Sequence, residues 1–197
     1  MEKASPRSSR SRYAMFPDKS LMPREAVRLA ALGILADGER TYASLANAVR
    51  DFTSRFWGPT LDVMATSIEL LHYEGLIEVA EEGPSTADTR LRLTDAGRRE
   101  LAELLSASIR APSGDFGRLI VALKMKFLHC LPPSARAEQI DMLIEGRQAE
   151  LARLVELRTA EADAQADFLA WLDHDIARIR GELAWFETLR RRIAPGA

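Results

Sequence analysis

The chain has 197 residues, 47% of them apolar and 28% charged, with a formal net charge of −2. That composition can bury a core and excludes a disordered chain, while so small a net charge names no partner by itself. The longest apolar run, residues 119–131, is interrupted by Lys124 and Lys126 and is too short to cross a bilayer. No membrane partner is expected. The first twenty residues lack an apolar signal segment, and the lone Cys130 cannot form an intrachain disulfide, so a reducing cytoplasm is the expected location.

Residues 1–22 are rich in serine and arginine and predict a flexible basic tail. A first helix follows from Pro23, which suits an opening turn; it carries Ala26, Leu29, Ala30, Leu32 and Ile34 in helical register, and Gly38 supplies a stop. Thr41 is a candidate cap for a second helix with Leu45, Ala46, Val49 and Phe52 on one face. Beyond the breaker "WGP", Thr60 can cap a third helix in which Val63, Met64, Ser67, Ile68, Leu71 and Tyr73 lead to Gly75. "LIEVA" then alternates like a half-buried strand, "EEGPSTADT" supplies a turn, and "RLRLT" sets Leu91 and Leu93 opposite Arg90 and Arg92. Thr94 and Asp95 open a fourth helix that buries Leu101, Leu104 and Leu105. The expected fold is mainly α: residues 23–110 form a winged helix-turn-helix of three helices plus a two-stranded wing, whose third helix is of the kind that enters a major groove.

Residues 111–197 predict a helical dimerisation domain. An apolar helix from Phe116 stops at Pro132 and Pro133, and Ser134 is placed to cap a long second helix bearing Ile140, Leu143, Ile144, Leu151, Leu154 and Val155. The last helix repeats Phe168, Leu172, Ile176, Ile179, Leu183, Phe186 and Ile193 near heptad spacing. Two such seams ask for a partner surface, so Leu151, Leu154, Phe168, Leu172, Ile176, Ile179, Leu183 and Phe186 are the candidate dimer contacts. The alternative is that these stripes fold back on the amino-terminal lobe of the same chain.

The segments "LAALGILADGERTYASLANAV", "FTSRFWGPT", "ELLHYEGLIEV", "RLRLTDAGRREL" and "KMKFLHCLPPSARAEQIDMLIEGRQAELARL", closed by "ELAWFETLRRRI", resemble in order and spacing the PadR family of bacterial transcriptional regulators. The resemblance covers the chain from about residue 24. It implies a homodimer that binds operator DNA through two winged helices, usually represses transcription, and in some relatives answers to small phenolic or aromatic effectors. Tyr42, Leu71, Gly75, Leu76, Thr94 and Gly97 keep family positions. The aromatic residue and proline that family members carry near the start of the third helix are Ala65 and Thr66 here, and the tyrosine of the second wing strand is Leu91.

Residues 59–89 contain Asp62, Glu69, Glu74, Glu78, Glu81, Glu82 and Asp88, no lysine or arginine, and only His72 to offset them. DNA affinity draws on phosphate neutralisation by cations, so this stretch repels a duplex. Thr60, Thr66 and Ser67 can still read bases and Asp62 can accept from cytosine. Phosphate anchors must then come from Arg40, Arg50, Arg90 and Arg92, with Tyr42 beside them, from Arg98 and Arg99, or from Arg7, Arg10 and Arg12 of the tail. For each arginine the plain alternative is a solvated surface side chain. Two functions follow: an operator-binding dimer, or a winged-helix dimer that has lost DNA and binds another protein, such as a regulator, through its acidic face.

No enzyme motif is present: neither a phosphate-binding glycine loop nor a nucleophile elbow nor an H-E-x-x-H pair occurs. No cofactor is expected. His129 and Cys130 are neighbours, which on an α-helix point about 100° apart, so no metal site is expected either. Trp171 and Trp185 are candidates to wall an aromatic effector site, with ordinary packing as the alternative.

Overall fold

The computed structural model describes residues 21–57, 64–109 and 114–193, without the side chains of residues 57 and 64–67. The tail arginines, Thr60 and Asp62 therefore lie outside the described residues. So do the side chains of Trp57, Ala65, Thr66 and Ser67. The elements run α1 (Pro23–Ala36), β1 (Arg40–Thr41), α2 (Tyr42–Trp57), α3 (Met64–Tyr73), β2 (Ile77–Glu81), β3 (Arg90–Leu93), α4 (Asp95–Ser106), α5 (Asp115–Phe127), a 3-10 turn (Leu128–Cys130), α6 (Pro133–Ala160) and α7 (Ala166–Ile193).

Helix α1 is the centre of the lobe. Every residue from Glu25 to Leu35 is buried, because α2, α3, α4, α5 and β3 all pack against it. An α-helix that is apolar nearly all round belongs in such a place. Its buried cation, Arg28, is tolerated because Glu74 at 2.7 Å and Glu100 at 3.2 Å neutralise it. Gly33 removes a side chain where the ring of Phe127 arrives; a Cβ there would strike it, so this glycine lets α5 lie close on α1.

The expected two-stranded wing has a third strand. The sheet order is β1–β3–β2, all antiparallel, with Arg40 opposite Leu91 and Thr41 opposite Arg90. A two-residue strand is too short to display a period in sequence, so its partner had to reveal it. The pairing continues as Tyr42 N donates to Thr89 O at 2.9 Å, which fixes the start of α2 against the wing. Thr41 Oγ1 accepts from Ser44 N at 3.2 Å and caps that helix.

Gly75, at φ +72°, turns the end of α3 into β2. Thr94 caps α4 by accepting from Gly97 N at 3.0 Å, and its own hydroxyl donates to Gly75 O at 2.8 Å. Gly97 sits against the Leu76 carbonyl with no room for a Cβ. These family positions therefore join α3, the wing and α4 in one corner.

The apolar helix from Phe116 ends as α-helix at Phe127 and tightens into the 3-10 turn before Leu131. Ser134 does not cap the next helix: Pro132 is the N-cap and Pro133 opens α6, because a proline lacks the N–H that a first turn leaves unpaired anyway. Leu119, Ile120, Leu123 and Phe127 of α5 join the same core as α1 and α4. Lys124 is 1% exposed. Its Nζ donates to Leu105 O and, at 2.6 Å, to Gln139 Oε1, tying α4, α5 and α6 together, and burial lowers its pKa to about 7.

Helices α6 and α7 form an antiparallel hairpin, pinned by Arg190 to Asp141 at 2.7 Å, Arg147 to Glu182 at 2.7 Å and Arg158 to Asp173 at 2.9 Å. Within this single chain Leu172, Ile176, Ile179, Leu183 and Phe186 are already buried, and Phe186 reaches the core of the lobe together with Ile140 and Leu143. Leu151 and Leu154 are half-buried. The large apolar side chains left outside are Val155, Leu157, Phe168, Trp171 and Trp185.

Candidate nucleic-acid interface

Arg40 and Tyr42 meet where β1 runs into α2, and Arg50 lies two turns further along α2. Arg40 and Arg50 are exposed, and neither has a carboxylate partner among the described residues; Arg50 Nη1 only donates to Asn47 Oδ1 at 3.0 Å. Tyr42 is half-buried, and burial, then Glu69, push its hydroxyl pKa up.

The wing arginines are placed differently. The β2–β3 register sets Glu78 opposite Arg92 and Glu81 opposite Arg90, with an irregularity between Val79 and Glu81. Arg92 Nε lies 2.8 Å from Glu78 and Arg90 Nε 3.7 Å from Glu81. Each wing cation is thus matched by a carboxylate across the strand. Arg98 likewise lies 3.8 Å from Asp95. A cavity of about 300 Å³ beside the wing is bordered by Tyr42, Glu69, His72 and Glu82, and so has an acidic rim. Of the acids read from residues 59–89, Glu69 and Glu82 lie at this face, while Glu74 faces Arg28 and Glu78 and Glu81 face the wing arginines.

A larger cavity, of about 540 Å³, lies between the lobe and the hairpin. Phe56 of α2, Val121 of α5, and Trp185 and Phe186 of α7 form its apolar wall, while Arg118, Arg147 and Arg178 bring positive charge. Arg147 is paired with Glu150 and Glu182 at 2.7 Å each, and Arg178 with Asp175 and Glu182 at 2.7 Å. Arg118 is exposed and has no carboxylate partner among the described residues. Trp171 is not part of this wall. It stacks on Phe168 with centroids 6.0 Å apart, and it lies fourteen helical positions before Trp185, about 21 Å along the axis. The two tryptophans do not share a site within one chain. Sequence reasoning missed Arg118 and Phe56, whose relation appears only when α2 and α5 are packed together.

His129 and Cys130 are also corrected by the structure. They sit in the 3-10 turn, not on an α-helix, and the turn brings Cys130 Sγ to 3.5 Å from His129 Nε2. Asp37, at the end of α1, approaches the same nitrogen at 2.8 Å.

Three helices closed by an antiparallel wing, with a helical hairpin beyond them, define a winged helix-turn-helix protein. Residues 16–190 match the family model described as "Putative AphA-like transcriptional regulator". The chain belongs to that family of transcriptional regulators, and the PadR-like character read from the sequence stands. No curated protein matches it. Among solved structures, Bacillus subtilis PadR in complex with p-coumaric acid is 20% identical, with a TM-score of 0.38 over 88% of this chain and 98% of that one. The same protein in complex with operator DNA is 21% identical, with a TM-score of 0.36 over 85% and 98%. Streptococcus mutans smu.1604c is 18% identical, with a TM-score of 0.37 over 88% and 96%. Among the described residues, no helix is long and apolar enough to cross a membrane.

Proposed function

We propose that the chain is a cytoplasmic, homodimeric regulator that binds operator DNA through its winged helix and represses transcription. The observation that carries this reading is the pair of exposed arginines without carboxylate partners, Arg40 and Arg50, on the element that leads into and along α2. They are the phosphate anchors, and the wing arginines, held by Glu78 and Glu81, contribute less. Residues 111–197 serve assembly, with α5 doubling as part of the lobe's core. Because the inner stripe of α7 is spent on α6, the seam with a second copy uses the outward aromatic residues Phe168 and Trp171 with Val155 and Leu157. The cavity between lobe and hairpin takes an aromatic carboxylate: its apolar wall receives the ring and Arg118 the acid, so Trp185 alone of the two candidate tryptophans reports binding.

A second reading is favoured by one observation, the acidic rim that Glu69 and Glu82 give the cavity beside the wing. In that reading the lobe binds a basic protein surface instead of DNA. Binding of the purified chain to its own upstream DNA and to random DNA, at two salt concentrations, separates the readings. Specific, salt-sensitive binding supports the operator-reading dimer; absence of binding at low salt supports the protein-interaction module.

A further inference from the structure

The winged-helix reading uses neither Asp37, His129 nor Cys130. These three come from distant parts of the sequence: Asp37 closes α1, while His129 and Cys130 occupy the turn after α5. Their ligand atoms all lie within 4.8 Å of one another. A tetrahedral ion with metal–nitrogen and metal–oxygen bonds of about 2.0–2.1 Å and a metal–sulfur bond of about 2.3 Å requires a nitrogen–sulfur edge of about 3.5 Å and a nitrogen–oxygen edge of about 3.3 Å. The Sγ···Nε2 separation is 3.5 Å. The Oδ1···Nε2 separation, 2.8 Å, is that of a hydrogen bond and opens by about half an ångström to meet the required edge.

The turn is held firmly enough to keep such a geometry. Arg136 Nε donates to Leu131 O at 2.6 Å and Arg136 Nη2 donates to His129 O at 2.7 Å, fixing the backbone on both sides of Cys130. On the other side, α1 is locked against α5 at Gly33, one turn before Asp37. Asp37 brings negative charge towards the thiol, and Arg136 and Arg98 oppose it with positive charge, which weakens the hold on any dication without removing a ligand. Asp37 and His129 are exposed and Cys130 is half-buried, so the ion would keep an open position for water.

We propose that Asp37, His129 and Cys130 form a binding site for a single zinc-class ion, joining the end of α1 to the turn between α5 and α6. One thiolate, one imidazole and one carboxylate form a mixed soft, borderline and hard donor set, and the thiolate and imidazole make it suit zinc over calcium or magnesium. Binding releases the thiol proton and clamps the core helix of the winged lobe to the segment that carries the hairpin.

The test is titration of the full-length, reduced protein with Co2+, followed by displacement with Zn2+. The expected result is one ion per chain and a thiolate-to-cobalt charge-transfer band that zinc removes. Cys130→Ser abolishes the band, and Asp37→Ala and His129→Ala each weaken Co2+ binding at least tenfold. Because Asp37 and His129 are exposed, these two variants are expected to keep the circular dichroism of the parent. Zinc should also raise the melting temperature of the parent and not of Cys130→Ser. Three outcomes overturn the site: absence of the band at millimolar Co2+, a band unchanged in the Asp37 and His129 variants, or one ion shared by two chains.

Discussion

The lobe around α1 and the α6–α7 hairpin bury apolar surface in opposite ways. In the lobe, α1 is covered on all sides from Glu25 to Leu35, and even the charged residues of that stretch are enclosed, with Glu25 at 3% and Arg28 at 7% exposure. In the hairpin each helix buries one stripe, and Trp171 and Trp185 remain more than half exposed. A closed core is complete in one chain. A one-sided hairpin keeps a surface for something else, and the contrast says where single substitutions should hurt folding and where they should hurt assembly.

The largest effect is expected where charge is enclosed. Arg28→Ala leaves Glu74 and Glu100 without their cation near the core and should cost about 3 kcal/mol in chemical denaturation. A cost below about 1 kcal/mol would mean that the lobe is less closed than its packing indicates.

Next comes Lys124. Its folded pKa, about 7, lies below the usual value of 10.5, so between these values the unfolded chain binds the extra proton and stability rises with pH. The parent should be about 2–3 kcal/mol more stable at pH 9 than at pH 7 relative to Lys124→Met, which removes the titration. Equal pH profiles for the two proteins would contradict a lysine whose pKa is lowered by burial among α4, α5 and α6.

On the hairpin, Trp171→Ala should leave the folding of the chain nearly unchanged but raise the dimer dissociation constant about tenfold in sedimentation, since an exposed aromatic matters only to a partner. The smallest effect belongs to Arg158→Ala, whose partner Asp173 is well exposed: below about 1 kcal/mol by the same denaturation assay. If Arg158 proved as costly as Arg28, the difference between the two regions would collapse.

What the sequence made legible follows the range of the interactions. Gly75, Thr94 and Thr41 act on residues within a turn of themselves, so their roles as stop and caps could be read directly. The stripe of α7 was equally visible as periodicity, but not which surface would cover it; α6 of the same chain does so. β1 escaped because two residues carry no pattern, and its partner β3 lies fifty positions away. Even nine and fourteen positions were enough to hide the neutralised wing. Arg90 and Arg92 look like free cations in "RLRLT", and only the register with β2 sets Glu81 and Glu78 against them. Asp37 and His129, ninety-two positions apart, could not be associated by spacing at all.

In the operator-binding reading, the winged helix holds DNA through Arg40, just before α2, and Arg50, within it, and not through its wing. This is tested most directly by the salt dependence of binding to upstream DNA for the parent, for Arg40→Ala with Arg50→Ala, and for Arg90→Ala with Arg92→Ala. The first double variant should weaken binding to all sequences and lower the slope of log affinity against log salt by about 2, while the second should leave the slope within about half a unit of the parent. A slope that falls only in the wing variant, or no salt-sensitive binding in the parent, would contradict it.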